Sequence, residues 1–159
     1  MNEVKFWELI ENVWADAPKL NTMRAKAIAT NDLDLIDELG EALSDKLVTK
    51  YIKRLKALKK DELAAYIHLL EEKLYLIDRA DIQKYTGGTG DHFLYYRSFI
   101  VALGKDYYEM VSKNPAKAVE GDGEIFGFIA YDVYEEKFGE EFERNSVHSI
   151  ETGSNKAAW

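Results

Sequence analysis

The chain has no cysteine, only two prolines and fewer basic than acidic residues. Without thiols there are no disulfides, thiolate zinc sites, cysteine nucleophiles or redox centres. No Pro- or Gly-rich linker divides the sequence. Long apolar runs are missing as well: the longest, Phe99 to Leu103, falls far short of the roughly 20 residues that span a bilayer. No membrane span is therefore expected. The opening stretch, Met1 to Glu8, mixes acids with apolar residues and lacks the basic start and apolar core of a signal peptide, so a cytoplasmic location is expected. Lys and Arg number 21 against 29 Asp and Glu, a formal charge of −8. Phosphate contacts need a basic surface, so no nucleic-acid partner is expected.

What the chain does have is apolar content arranged at helical spacing. Of its 159 residues 47% are hydrophobic, and 20 are aromatic, enough for a self-sufficient core. Phe6, Trp7, Ile10, Val13 and Trp14 share one face of a helix that Pro18 should end. A weaker helix is expected from Thr22 to Ala29. Ile36, Leu39, Leu43 and Leu47 form a further stripe opened by Asp32 or Asp34. Val48, Tyr51, Leu55 and Leu58 continue it on a rotated face, which implies a bend near Ser44 or a change of packing partner. Leu63, Tyr66, Ile67, Leu70, Leu74 and Ile77 mark the next helix, capped by Asp61 and stopped by the Gly87–Gly90 loop.

From Asp91 to Leu103 nearly every direction of the helical wheel is apolar, the mark of a helix buried on all sides. Short stripes follow at Tyr107, Tyr108 and Val111, and at Ile125, Phe126, Ile129 and Val133. Alternating β-branched runs are missing. The expected fold is all-α: a single compact, irregular bundle of about six or seven helices around a buried central helix near residues 91–103. Residues 3–144 read as one domain, and residues 145–159, rich in Ser, Asn, Thr and Gly, as a flexible C-terminal tail.

Three stretches together resemble one family. They are Phe6-Trp7-Glu8-Leu9-Ile10-Glu11; then Gly87-Gly88 with Asp91-x-Phe93-x-Tyr95-Tyr96-Arg97-x-Phe99-Ile100, Gly104-Lys105, Tyr108-Glu109 and Asn114-Pro115; and finally Ile129-Ala130-Tyr131 with Tyr134-Glu135-Glu136. In this they resemble the bacterial domain-of-unknown-function family DUF4240, over most of residues 5–140. The chain departs from that pattern at Phe99, at Lys105 and across residues 71–86. The resemblance implies a helical fold and carries no established activity.

Arg97 is the most informative polar residue. It lies among the apolar directions of its helix, where a guanidinium is costly unless a carboxylate pairs with it. Either Glu8, Glu11 or Asp132 seals it or it snorkels to solvent, or else it forms the base of an anion pocket with Asp91, His92, Tyr96, Lys105 and Tyr108 around it. The glycines of 87–90 could present N–H groups to a phosphate. Neither G-x-x-x-x-G-K-[ST] nor G-x-G-x-x-G is present, however, and an ordinary capped turn is the simpler reading. His68 falls on the polar side of its helix, and no His pair has metal-ligand spacing. Asp32-x-Asp34-x-x-Asp37-Glu38 lacks the glycine and the final Glu of a calcium loop. No metal and no cofactor are expected.

Charge is the stronger pattern. Residues 46–60 carry seven bases and no acid, with Lys46, Lys50, Lys53 and Lys60 on one face. Residues 119–144 carry nine acids and two bases, among them Glu135, Glu136 and Glu140. Solvated faces are the plain explanation. A basic helix can also lie on an anionic membrane, and segregated charge can recruit a partner. With no recognisable catalytic set, the sequence weighs against an enzyme. It points first to a protein-interaction or regulatory module with a protein partner, immunity- or antitoxin-like. The alternative is a domain that binds, or acts on, a small anionic ligand around Arg97 and its tyrosines.

Overall fold

A computed structural model describes residues 1–144 and 147–159. Its α-helices are α1 (Glu3–Ala15), α2 (Pro18–Thr30), α3 (Leu33–Ala42), α4 (Val48–Ala57), α5 (Lys60–Leu76), α6 (Ala80–Thr86), α7 (Asp91–Ala102), α8 (Lys105–Lys113) and α9 (Glu124–Phe138). There is no strand among the described residues, so the fold is all-α. A π-helical turn, Leu43–Leu47, joins α3 to α4 without a break, and the nine segments make eight rods. The one rod beyond the expected number comes from a break at Ile77–Arg79, which separates α6 from α5.

Local chemistry accounts for most helix starts. Asn2 caps α1 by accepting from the Lys5 N–H (3.0 Å), and Asp32 caps α3 by accepting from Leu35 (3.2 Å). Pro18 begins α2 instead of merely ending α1, because a missing N–H is harmless in a first turn. Two expected caps are different. At α5 the Glu62 carboxylate accepts the Lys59 N–H (3.0 Å), in place of a cap by Asp61. Asp91 is the first residue of α7 and makes no cap bond; Gly90 precedes it with φ +53°.

The π turn explains the rotated stripe. Leu39, Leu43, Leu47, Tyr51 and Leu55 are spaced by four, and on a 3.6-residue helix such a ladder drifts by roughly 40° per step. One wider turn takes most of that drift back. Leu39, Leu47, Tyr51 and Leu55 therefore all reach the core.

One core cluster runs from Phe6 to Ile150. Helix α7 supplies Phe93, Leu94 and every residue from Arg97 to Ala102, all buried, and packs on α5, α6, α8 and α9. The centre is shared: α9 also packs on α4 and α5. One edge of α7, with Asp91 and His92, reaches the surface.

The loop before α9 lies directly on α7. A methyl group at Gly123 would overlap the backbone of that helix, 2.6 Å from the Ser98 carbonyl carbon and 2.7 Å from the Phe99 Cα. Gly139, with φ +70°, has open space around its Cβ position. Gly123→Ala should therefore destabilise the fold by about 3 kcal/mol through overpacking. Gly139→Ala should cost only about 1 kcal/mol of backbone strain. Urea unfolding of the two variants compares them directly, and equal losses would contradict this packing.

Candidate functional site

Arg97 is fully buried and engaged by main-chain groups. Its side chain is 0% exposed, and its partners are main-chain carbonyls: Nη1 donates to Leu74 O (2.9 Å) and Nη2 to Ile150 O (2.8 Å). Nη2 also donates to the Thr152 hydroxyl (3.2 Å), and the guanidinium lies 5.0 Å from the centre of the Phe93 ring. The carboxylate that faces it is Asp78, also 0% exposed and 4.0 Å away. Glu8, Glu11 and Asp132 do not fill that role. Glu11 pairs with Arg24 (2.6 Å), while Glu8 and Asp132 are exposed. Burial lowers the Arg97 pKa to about 10, against the pull of Asp78 and Glu151. The sign matters: a base whose folded pKa is depressed is a cost below that pKa, relieved only as pH rises through about 10. At neutral pH the hydrogen bonds must offset it.

Those bonds close the end of α5. A helix leaves its last four carbonyls unpaired, with partial negative charge. Here Tyr108 donates to Lys73 O (3.2 Å), Arg97 to Leu74 O, and the Asn155 amide to Tyr75 O (3.2 Å). The segment expected to hang free supplies several of these partners. Asn145 and Ser146 lie outside the described residues, but residues 147–159 pack back onto α5 to α7, with Ile150 buried. Asp78 accepts from Gly153 N–H (3.1 Å), the Ser154 hydroxyl (3.2 Å) and Asn155 N–H (3.1 Å). Trp159 Nε1 donates to Asp78 O (3.0 Å).

The other candidates around Arg97 do not converge on it. Asp91 and His92 are exposed at the start of α7, and the His92 ring meets Tyr95 edge-on. Tyr96 is half-buried beneath Gly88. Lys105 pairs with Glu109 one turn along α8. Tyr108 is buried against Trp7. Burial also raises the Tyr108 hydroxyl pKa well above the usual value, so it remains a protonated donor.

The charged candidates separate into two groups. Lys56 bonds Glu136 and Lys60 bonds Glu140, each at 2.6 Å, so α9 and the residues just after it neutralise the end of the basic stretch. Lys60 holds the Glu140 carboxyl below its usual range. Lys137 caps the last carbonyls of α4, and Arg54 turns to Asp16 (2.5 Å). Lys46, Lys50 and Lys53 form no ion pair among the described residues; nor does Glu135, which is exposed on α9.

Ahead of them on the same rod, Asp34, Asp37, Glu38, Glu41 and Asp45 are exposed. They too form no ion pair among the described residues. The α3–α4 rod thus carries five acids and no base up to Asp45, then five bases and no acid from Lys46 to Ala57. The reversal falls inside the π turn. Because that turn corrects the drift, both halves present their charge on the outward side, opposite Leu39 and Leu55. An open groove of about 690 Å³ runs along the acidic half, edged by Asp37, Glu41, Asp45 and Asp122.

A family model described as "Protein of unknown function (DUF4240)" matches residues 1–142. The chain belongs to the DUF4240 family. Nothing among the curated proteins or the solved structures matches it. In this DUF4240 chain, residues 147–159 lie beyond the matched stretch, yet they complete the surroundings of Arg97 within it.

One further cluster was not visible as a site in the sequence. The buried Glu71 accepts from the Tyr131 hydroxyl (2.9 Å) and lies 3.3 Å from His68 Nδ1, so a carboxylate orients an imidazole that is 39% exposed. The only signal was the His68-x-x-Glu71 spacing, which places two residues on one helix face. No group of three His, Cys, Asp or Glu among the described residues could hold a metal.

Arg97→Met should leave Asp78 buried without its counter-charge and a last-turn carbonyl of α5 unmet. The expected loss is about 3–5 kcal/mol. Arg97→Lys should recover only part of it, since one ammonium lacks the fork that spans Leu74 O and Ile150 O. Equilibrium unfolding measures both. Wild-type stability in the Met variant would overturn the structural role given to Arg97.

Proposed function

We propose that this DUF4240 protein is a protein-interaction module that docks through the outward face of the α3–α4 rod. The observation that carries this reading is the charge division along one continuous helix, with the five acids exposed and unpaired and Lys46, Lys50 and Lys53 also without an ion pair among the described residues. Charge patterned in this way selects and orients a partner more than it adds affinity, because exposed ion pairs are individually weak. The reading supports an immunity- or antitoxin-like role as one form, in which the acidic half receives a basic surface.

The same geometry narrows what the neighbouring charges do. Lys60, Glu136 and Glu140 serve the contact between the α4–α5 corner and α9, which leaves Lys46, Lys50 and Lys53 as the basic docking residues. A membrane-spanning role has no support, since no helix among the described residues is long and apolar enough to cross a membrane. The small-anion alternative around Arg97 is less favoured, because the guanidinium is engaged by main-chain carbonyls.

Cross-linking mass spectrometry on the full chain in its native cells tests the reading. Inter-protein links should concentrate on Lys46, Lys50 and Lys53 and on the carboxylates of residues 34–45. Reversing Asp37 and Glu41 to Lys should remove them while shifting stability by no more than about 0.5 kcal/mol, as for other surface substitutions. Links spread evenly over the surface, or gathered around Tyr96 and His92, would overturn it.

A further inference from the structure

Eight of the ten charges on the α3–α4 rod, all but Asp34 and Lys56, are arranged antisymmetrically about a single point. Counting outward from the junction of Asp45 and Lys46, the acid at 45 faces the base at 46, Glu41 mirrors Lys50, Glu38 mirrors Lys53 and Asp37 mirrors Arg54. The π turn, Leu43–Leu47, is itself centred on Asp45. The rod is therefore nearly symmetric in shape about the point where its charge changes sign. Arg54 already bonds Asp16, so three of the four mirrored positions are without a partner on both sides. Leu33, 62% exposed at the start of the rod, mirrors the half-buried Leu58 just past its end. Leu33 thus leaves most of its apolar surface uncovered.

An antiparallel pair of helices brings residue i of one opposite residue j of the other with i + j constant, and an isologous dimer requires each patch to complement itself. The rod meets both conditions at once. We infer that the partner is a second copy of this chain, docked with the two α3–α4 rods antiparallel and the two-fold axis beside Asp45 and Lys46. This rests on the reading that the rod is a docking face. At 1.5 Å per residue the rod is roughly 37 Å long. Each charge pair occurs twice by symmetry: Glu38 with Lys53, Glu41 with Lys50, and Asp45 with Lys46. The two Leu33–Leu58 contacts would close the ends against water. Parallel docking would set acid on acid and base on base, so the same pattern excludes it. Since the attraction is largely between exposed charges, the dimer dissociates as salt rises.

Sedimentation velocity on the full chain, at low and high salt, provides the test. Two variants are needed, Glu38→Lys/Glu41→Lys and Lys50→Glu/Lys53→Glu, each checked for native helicity and melting. The wild type should be dimeric at low salt and shift toward monomer at high salt. Each variant alone should weaken self-association by roughly tenfold or more, since its rods now carry mostly one sign. An equimolar mixture should restore the dimer, because every reversed pair again meets its opposite. A wild type that stays monomeric at low salt overturns the inference. So does a dimer indifferent to both variants. If the wild type is monomeric but its rod still gives cross-links to another protein, the homotypic partner is wrong and the docking face stands. If it gives none, both fall.

Discussion

The helical bundle depends on how Arg97 closes the end of α5. Helix α5 is 17 residues long and stops inside the protein, with its last carbonyls facing inward. Unmet carbonyls there would each carry a substantial desolvation penalty. Arg97 answers one of them, aligns a positive charge with the negative end of the helix dipole, and holds the crossing chain through Ile150 O. Tyr108 and Asn155 answer two others. The break at Ile77–Arg79 follows from the same arrangement: the chain turns where Asp78 enters the interior, and α6 begins afterwards. A single guanidinium thereby ties together α5, α7 and the segment at 150–155.

Away from that cluster the surface is organised by charge. The end of α9 with the residues that follow it and the α4–α5 corner neutralise one another, through Lys56 with Glu136 and Lys60 with Glu140. The rod between Leu33 and Ala57 is different, because its acids and bases are separated along its length and all but Arg54 and Lys56 form no ion pair among the described residues. Acids toward the N-terminus and bases toward the C-terminus also suit the helix dipole, so the division favours the rod itself. Fold stability and surface complementarity are compatible demands on that helix.

Much of the fold was legible in the sequence because apolar spacing marks helices well. The stripes beginning at Phe6, Ile36, Leu63 and Ile125 gave four helices, and the all-round apolar run from Phe93 gave the most buried one. Boundaries that depend on tertiary partners were less legible. Asp78 looks like any helix residue until the backbone N–H groups of 153 and 155 are brought to it, so the end of α5 could not be located. The tail was misread for a related reason. Its Ser, Thr, Asn and Gly residues suggest disorder by composition, but Thr152, Ser154 and Asn155 are the short donors and acceptors that a buried charge needs. The rotated stripe after Ser44, read as a bend or a change of packing partner, falls where the structure has the π turn. Its consequence, two charged halves on one side, required the turn's geometry. Arg97 stood out as a charge among apolar directions; the carboxylate that faces it, 19 positions earlier in the break between α5 and α6, had no local signature.

The distance along the chain between Arg97 and Ile150, 53 residues, sets the order in which the molecule can be completed. A ribosome delivers the N-terminal residues first. While residues 98 to 149 are being added, α1 to α7 can already collapse, but of the six side-chain hydrogen bonds made by Arg97 and Asp78 only the one to Leu74 O is then available. The remaining five bonds form only when residues 150–155 arrive and lie across the pair. A nascent chain arrested before that point holds an unlatched core, and the final latching step comes late by construction. The segment that looked flexible by composition is the one that covers Arg97 and Asp78.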